Sequence, residues 1–131
     1  MDGERDLDRL LATMEPELQP GRYVFTTVGE VQVDCDPVVL VREAEGTTLV
    51  VEQEQADGLR LSYHHVAAMI SLRVHSALDA VGLTAAVAAV LAEAGMSCNV
   101  VAGYHHDHLF VPYERGAEAV QLLRALSSPS S

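Results

Sequence analysis

The sequence predicts a two-layer α+β sandwich, with antiparallel strands covered on one face by helices. Three observations carry the prediction. Short runs rich in β-branched and aromatic residues recur along the chain, separated by turns bearing Gly and Pro. Other segments, above all the one that opens at Leu83, repeat apolar residues at helical spacing instead. Both halves also mix the two kinds of element: about four strands in the first and about three in the second, with three or four helices in all.

Taken in order, Leu7, Leu10, Leu11 and Met14 fall at i, i+3, i+4 and i+7, which predicts a short amphipathic helix ended by Pro16. Pro20-Gly21 is a turn. Arg22–Val28, RYVFTTV, reads as a strand, and the polar Gly29–Asp36 as a loop or ragged edge. Val38–Arg42 and Thr48–Gln53 form a hairpin around Glu45-Gly46. Gln53–Gly58 fits one helical turn, followed by a strand near Arg60–His64. In Ile70–His75, Ile70, Leu72 and Val74 alternate with Ser71, Arg73 and His75, the period of a half-buried strand. The alternation turns Arg73 and His75 away from the helix-covered face, available to the other half or to a second subunit. Leu83, Val87, Val90, Leu91 and Ala94 then recur at helical intervals, with Ala between them and Gly95 where a left-handed residue would end the helix. Ser97–Ala102 and His108–Pro112 read as two more strands. Tyr113–Leu126 is the last helix, with Ala119, Leu122, Leu123 and Leu126 facing inward.

The turn ahead of Leu83 is the first candidate site. The opening N–H groups of a helix lack partners inside it, and its dipole favours an anion there. His75 and Ser76 lead into this turn, Asp79 and Thr84 surround it with short polar side chains, and Gly82 lets a ligand approach the main chain. A carboxylate on the N–H groups and an ammonium on Asp79 would suit a free amino acid. The plainer reading is structural: Asp79 or Ser76 caps the helix and Gly82 eases a tight turn.

The run Asp79-Ala80-Val81-Gly82-Leu83 resembles the D-x-x-G-L signature that follows the first strand of ACT domains. The longer run from Val74 to Pro112 is similar to a bacterial group of short proteins with paired ACT-like halves, itself similar to ACT-domain amino-acid sensors. The resemblance implies two ferredoxin-like (βαββαβ) halves, residues 1–66 and 67–131. It implies an amino-acid ligand that meets the loop before the first helix and the strand after it. Residue by residue, that implicates Asp79, Val81, Gly82 and Leu83, with Asn99, Val100 and Val101. The pattern departs from an ordinary ACT domain in one respect, since Ser76-Ala77-Leu78 separate His75 from the aspartate.

Composition removes several function classes. The chain has 131 residues and is 49% hydrophobic, enough for a packed core. Net charge is −11 and every basic residue is Arg, so neither a Schiff-base Lys nor a P-loop Lys is available. Nucleic acid is not an expected partner, because phosphate contacts need a basic surface. Cys35 and Cys98 stand apart with no C-x-x-C spacing, and Cys98 reads as a small buried hydrophobe. The acidic opening MDGERDLDRL is not a signal peptide, and no apolar run is long enough to span a bilayer. The expectation is a cytoplasmic protein with no membrane partner and no cofactor.

Tyr104-His105-His106-Asp107-His108 is the second candidate site. On an extended strand His106 and His108 would share a face, with Cα atoms about 7 Å apart. A metal pair is one reading, with Asp107 or His75 as a further ligand. The other is a hydrogen-bonded His/Asp network that fixes a turn after Gly103 and lines a ligand pocket. No nucleophile-elbow, paired-carboxylate or dinucleotide motif is present. The sequence thus points to a small ligand-binding regulatory protein, non-enzymatic and homodimeric, that senses an amino acid or related metabolite. The alternatives are a metal-assisted hydrolase using the His105–His108 segment and a module that serves only oligomerisation or docking.

Overall fold

The structure is a computed structural model that describes residues 11–29, 34–73 and 82–127. Its strands are β1 (Glu15–Leu18), β2 (Tyr23–Val28), β3 (Val39–Glu43), β4 (Gly46–Glu52), β5 (Val66–Arg73), β6 (Asn99–Ala102) and β7 (Asp107–Pro112). Its helices are α1 (Gln53–Gly58), α2 (Leu83–Glu93) and α3 (Gly116–Ser127), the last entered through a 3₁₀ turn at Tyr113–Arg115. Residues 11–13 are also helical. The chain divides into two compact units, Pro20–Ala67 on its own and Met1–Gln19 together with Ala68–Ser131. Each is a sheet with helices on one face, the α+β architecture the sequence predicts.

In the discontinuous unit the strand order is β1-β5-β7-β6. β1 runs antiparallel to β5, from Glu15↔Arg73 to Leu18↔Ile70, and β6 runs antiparallel to β7, from Asn99↔Phe110 to Ala102↔Asp107. With α2 between β5 and β6 and α3 after β7, this is the ferredoxin-like order, and β1 fills the place of the fourth strand. Alternate residues Ala68, Ile70 and Leu72 of β5 and Leu109 and Val111 of β7 join Leu83, Val87 and Leu91 of α2 and Ala119 and Leu123 of α3 in one core. Each fully buried Leu contributes about 1.5–3 kcal/mol. α2 ends in a Schellman motif: Gly95 (φ 71°) donates to Ala92 O, Met96 N–H donates to Leu91 O, and Met96 buries its side chain. Arg115 closes the same end by donating to Ala94 O at 3.0 Å and Gly95 O at 3.3 Å, while Glu118 holds its guanidinium through two further bonds.

The continuous unit has strand order β3-β4-β2, with the first residues of β5 on the far side of β2 at Tyr23↔Ala67 and Val24↔Val66. Val24, Leu49, Val51 and Ala56 form its core. Gly46 makes the hairpin possible: its φ is 154°, and a Cβ there would meet Val28 O at 2.9 Å. Thr26 is buried and donates to Ser62 O at 2.7 Å, and Gln55 exchanges two hydrogen bonds with the backbone of Asp36.

The helix expected to end by Pro16 does stop before it, its described part being residues 11–13, but Glu15–Leu18 then forms a strand the sequence does not suggest. Proline is tolerated there because β1 is an edge strand with one side unpaired. One sequence expectation needs correction: the strand expected near Arg60–His64 does not form. The amides of Leu59, Arg60 and Leu61 are used by the α1 carbonyls of Gln55, Asp57 and Ala56, and Arg60 takes a left-handed φ of 59°. Extended structure begins only at Val66, so β5 starts earlier in the chain than the Ile70–His75 alternation suggests.

Candidate functional site

β5 ends at Arg73, and β7 begins at Asp107 beside it, since Ser71 of β5 bonds His108 of β7. In an antiparallel sheet, β6 then ends at this same edge with Ala102. α2 runs back toward the start of β6, so its N-terminus lies at this end as well. The topology therefore gathers three features at one sheet end: the exit of β5, the first turn of α2 and the β6–β7 hairpin.

The first turn of α2 opens through Gly82, whose φ of 100° and ψ of −28° are left-handed. A glycine has no side-chain oxygen, so the N-cap position supplies no side-chain cap to the helix. Leu83 is 2% exposed and committed to the core, so only its main chain is free to serve a ligand. Thr84 is exposed.

The hairpin closes with Gly103 N–H donating to His106 O at 2.9 Å. A Cβ on Gly103 would lie 2.8 Å from that oxygen and 3.4 Å from His108 Nε2, so glycine is required by close approach. Ser71 Oγ and His108 Nδ1 share a hydrogen bond of 2.9 Å, and its direction follows the tautomer. Ser71 is 8% exposed and lies on the sheet face opposite Ile70 and Leu72. Burial and the neighbouring His106 hold His108 below the usual histidine value, against the attraction of Asp107. Burial pushes the Asp107 carboxyl up, with both histidines opposing. His106 Nδ1 is buried with no hydrogen-bond partner among the described residues. Tyr104 is 81% exposed and meets His105 edge-on, with ring centroids 5.1 Å apart.

Of the residues singled out from sequence, Gly82, Leu83 and Thr84 lie at this sheet end, as do His106 and His108. Val101 is half-buried opposite His108, and Val100 packs against the core. Asn99 is three residues from Ala102 at the other end of β6, about 10 Å away. His75, Ser76, Asp79 and Val81 lie outside the described residues. Arg73 is exposed and paired with Glu17 at 3.3 Å. Among the described residues, no three His, Cys, Asp or Glu side chains gather as metal ligands. His108 Nδ1 is engaged by Ser71, which leaves its Nε2 as the nitrogen open to a ligand. Cys98 and Cys35 are free and half-buried, and burial pushes the Cys98 thiol up. Sequence reasoning missed Ser71. The available signal was its place between Ile70 and Leu72 in an apolar run, where a strand with both faces covered buries its polar residue too.

Known proteins resemble the chain as follows. One family model for the ACT domain matches residues 2–68, and a second matches residues 65–125. A crystal structure of a protein of unknown function from Vibrio cholerae, described as a possible transport protein, superposes with a TM-score of 0.87 at 45% identity, covering 97% of this chain and 100% of the other. An Agrobacterium tumefaciens protein superposes with a TM-score of 0.64 at 17% identity, covering 87% of this chain and 89% of the other. The ligand-free regulatory subunit of aspartate kinase from Thermus thermophilus gives 0.63 at 8%, covering 87% and 97%. These last two show likeness of fold alone. No curated protein matches the sequence significantly.

The shifted groups of the hairpin predict a pH dependence. The folded value of His108 is depressed, so its contribution is complete above the unfolded value of about 6.5 and is lost as pH falls through the folded one. The folded value of Asp107 is raised, so its contribution is complete below about 3.9 and is lost as pH rises through the folded one. Asp107→Asn is therefore expected to be more stable than wild type at pH 7, with the gap closing as the solution is acidified. Urea unfolding of both proteins from pH 7 to pH 4 measures the gap. A constant gap, or one that widens in acid, would contradict the burial of this carboxyl.

Proposed function

The chain belongs to the ACT-domain family, and on that premise we propose that it is a non-enzymatic regulatory protein that binds an amino acid or a closely related small metabolite. The observation that carries the reading is the entry to α2. Gly82 brings the chain into the helix in a left-handed conformation, without a capping side chain of its own and at the sheet end where the hairpin of His106 and His108 lies. A ligand carboxylate on the N–H groups of Gly82–Thr84 gains up to about 1 kcal/mol from the helix dipole, and each charge-assisted hydrogen bond adds roughly 1.5–3 kcal/mol. Asp79 and Val81 belong to the proposed site by resemblance, His75 and Ser76 by their place ahead of the turn in the sequence, and Val101 lies on the adjoining strand. The two ACT-like halves meet at residues 66–67 in the sequence, with β1 completing the second sheet.

A protein with no membrane-crossing helix among its described residues fits a cytoplasmic sensor. We also infer a homodimer. β3 is the edge strand of its unit, and Val38 just before it with Leu40 and Val41 within it are exposed at 45%, 52% and 47%, an apolar edge that a second copy would cover. Sedimentation at micromolar concentration is expected to show a dimer that Leu40→Asp converts to monomer. A monomeric wild-type protein would rule out the dimer.

A thermal-shift screen of the standard amino acids tests the ligand reading, because a ligand at a hundred times its Kd stabilises the native state by about 2.7 kcal/mol. Gly82→Val is a poor companion variant: a β-branched residue at φ 100° is strained by about 1–2 kcal/mol whether or not a ligand binds. Asn tolerates left-handed backbone, so Gly82→Asn is expected to fold, at a cost of about 1 kcal/mol or less, and to lose the ligand-induced shift. A full shift in Gly82→Asn would place the ligand elsewhere.

A further inference from the structure

His106 presents a feature that folding alone does not explain. Its Nδ1 is buried and has no hydrogen-bond partner among the described residues, while the next histidine along the hairpin, His108, has its Nδ1 satisfied by Ser71. The position of His106 is not accidental slack. Its carbonyl closes the hairpin on Gly103 N–H, and a Cβ on Gly103 would collide with it, so the ring is carried on a tight and well-determined turn.

A neutral imidazole has one N–H and one lone pair. Stranding a buried N–H is less tolerable than stranding an acceptor, so the proton belongs on Nε2 and the buried Nδ1 keeps its lone pair. The group thus waits for a donor. Beside it on the hairpin stand His108, which burial holds below the usual histidine value, and Asp107, neither of them a fixed cation.

We propose that Nδ1 of His106 accepts a hydrogen bond from the ammonium group of the ligand. This rests on the amino-acid reading above and adds a specificity element to it: His106 selects ligands with a free amine over those with a blocked one or a hydroxyl in its place.

Two variants test the assignment, each probed with the standard amino acids one at a time and with the N-acetyl and α-hydroxy counterparts of any that bind. His106→Leu removes the unsatisfied acceptor, so its melting temperature without ligand is expected to equal or exceed that of wild type. Its affinity for the amino acid falls roughly tenfold to a hundredfold, the worth of one charge-assisted hydrogen bond. His106→Asn puts Oδ1 near the place of Nδ1 and retains most of the affinity. The α-hydroxy counterpart binds wild type and His106→Leu more nearly alike than the amino acid does. Unchanged amino-acid affinity in His106→Leu overturns the assignment alone, leaving Nδ1 to a water molecule. A lower melting temperature in ligand-free His106→Leu also overturns it, because Nδ1 would then have a partner in the unliganded protein. If no amino acid shifts wild type, the sensing reading and the assignment fall together.

Discussion

The backbone demand of β5 organises this molecule. A central strand has N–H and C=O groups on both edges, and buried groups left unpaired cost about 1–3 kcal/mol each. One edge of β5 takes β7. Along the other, Arg73 to Ile70 pair with Glu15–Leu18, Met69 O accepts from Gln19 N–H, and Ala67 and Val66 pair with Tyr23 and Val24. Residues 15–19 must therefore lie alongside a strand fifty or more residues later in sequence. That long-range pairing is why residues 11–19 belong with the C-terminal elements, and why a strand with a proline in it is retained.

With β5 fixed, the site end follows. α2 is anchored where it is farthest from the candidate site: the Schellman turn at Gly95 and the Arg115 clamp hold its last carbonyls, and Leu83, Val87 and Leu91 hold its inner face. The opposite end begins at a glycine, the residue least able to occupy the helix N-terminus itself. Across the same sheet end, the hairpin is drawn tight by Gly103 and braced from beneath by Ser71 through His108. A helix entry and a tight turn thus stand at the same sheet end, and whatever part of a site is held by fixed hydrogen bonds needs less ordering on binding.

Much of this was legible in the sequence because it is written in local chemistry. The period of Leu83, Val87 and Leu91, the left-handed Gly95, the Glu45-Gly46 hairpin and the Tyr113–Leu126 helix each follow from neighbouring residues, and each forms. The D-x-x-G-L resemblance marked the entry to α2, and the family of the chain agrees with it. What was illegible depends on partners distant in sequence. Glu-Pro-Glu-Leu becomes a strand only because β5 is there to receive it. Arg60–His64 has strand-like residues but loses its amides to α1. Ser71 looks like the solvent-facing member of an alternation, yet His108, 37 positions on, needs it. Asn99 is adjacent to Val100 and Val101 in sequence, but antiparallel geometry carries it to the far end of β6.

The first turn of α2 is the proposed place of ligand binding. Amide chemical shifts of isotope-labelled protein, titrated with whichever amino acid raises its melting temperature, test this directly. The largest shifts are expected at the N–H groups of Gly82, Leu83 and Thr84, with smaller ones at Gly103 and His106 and almost none at Asn99. Perturbations centred on the α1 end of the other unit, or on Asn99 with the first turn of α2 silent, would contradict it.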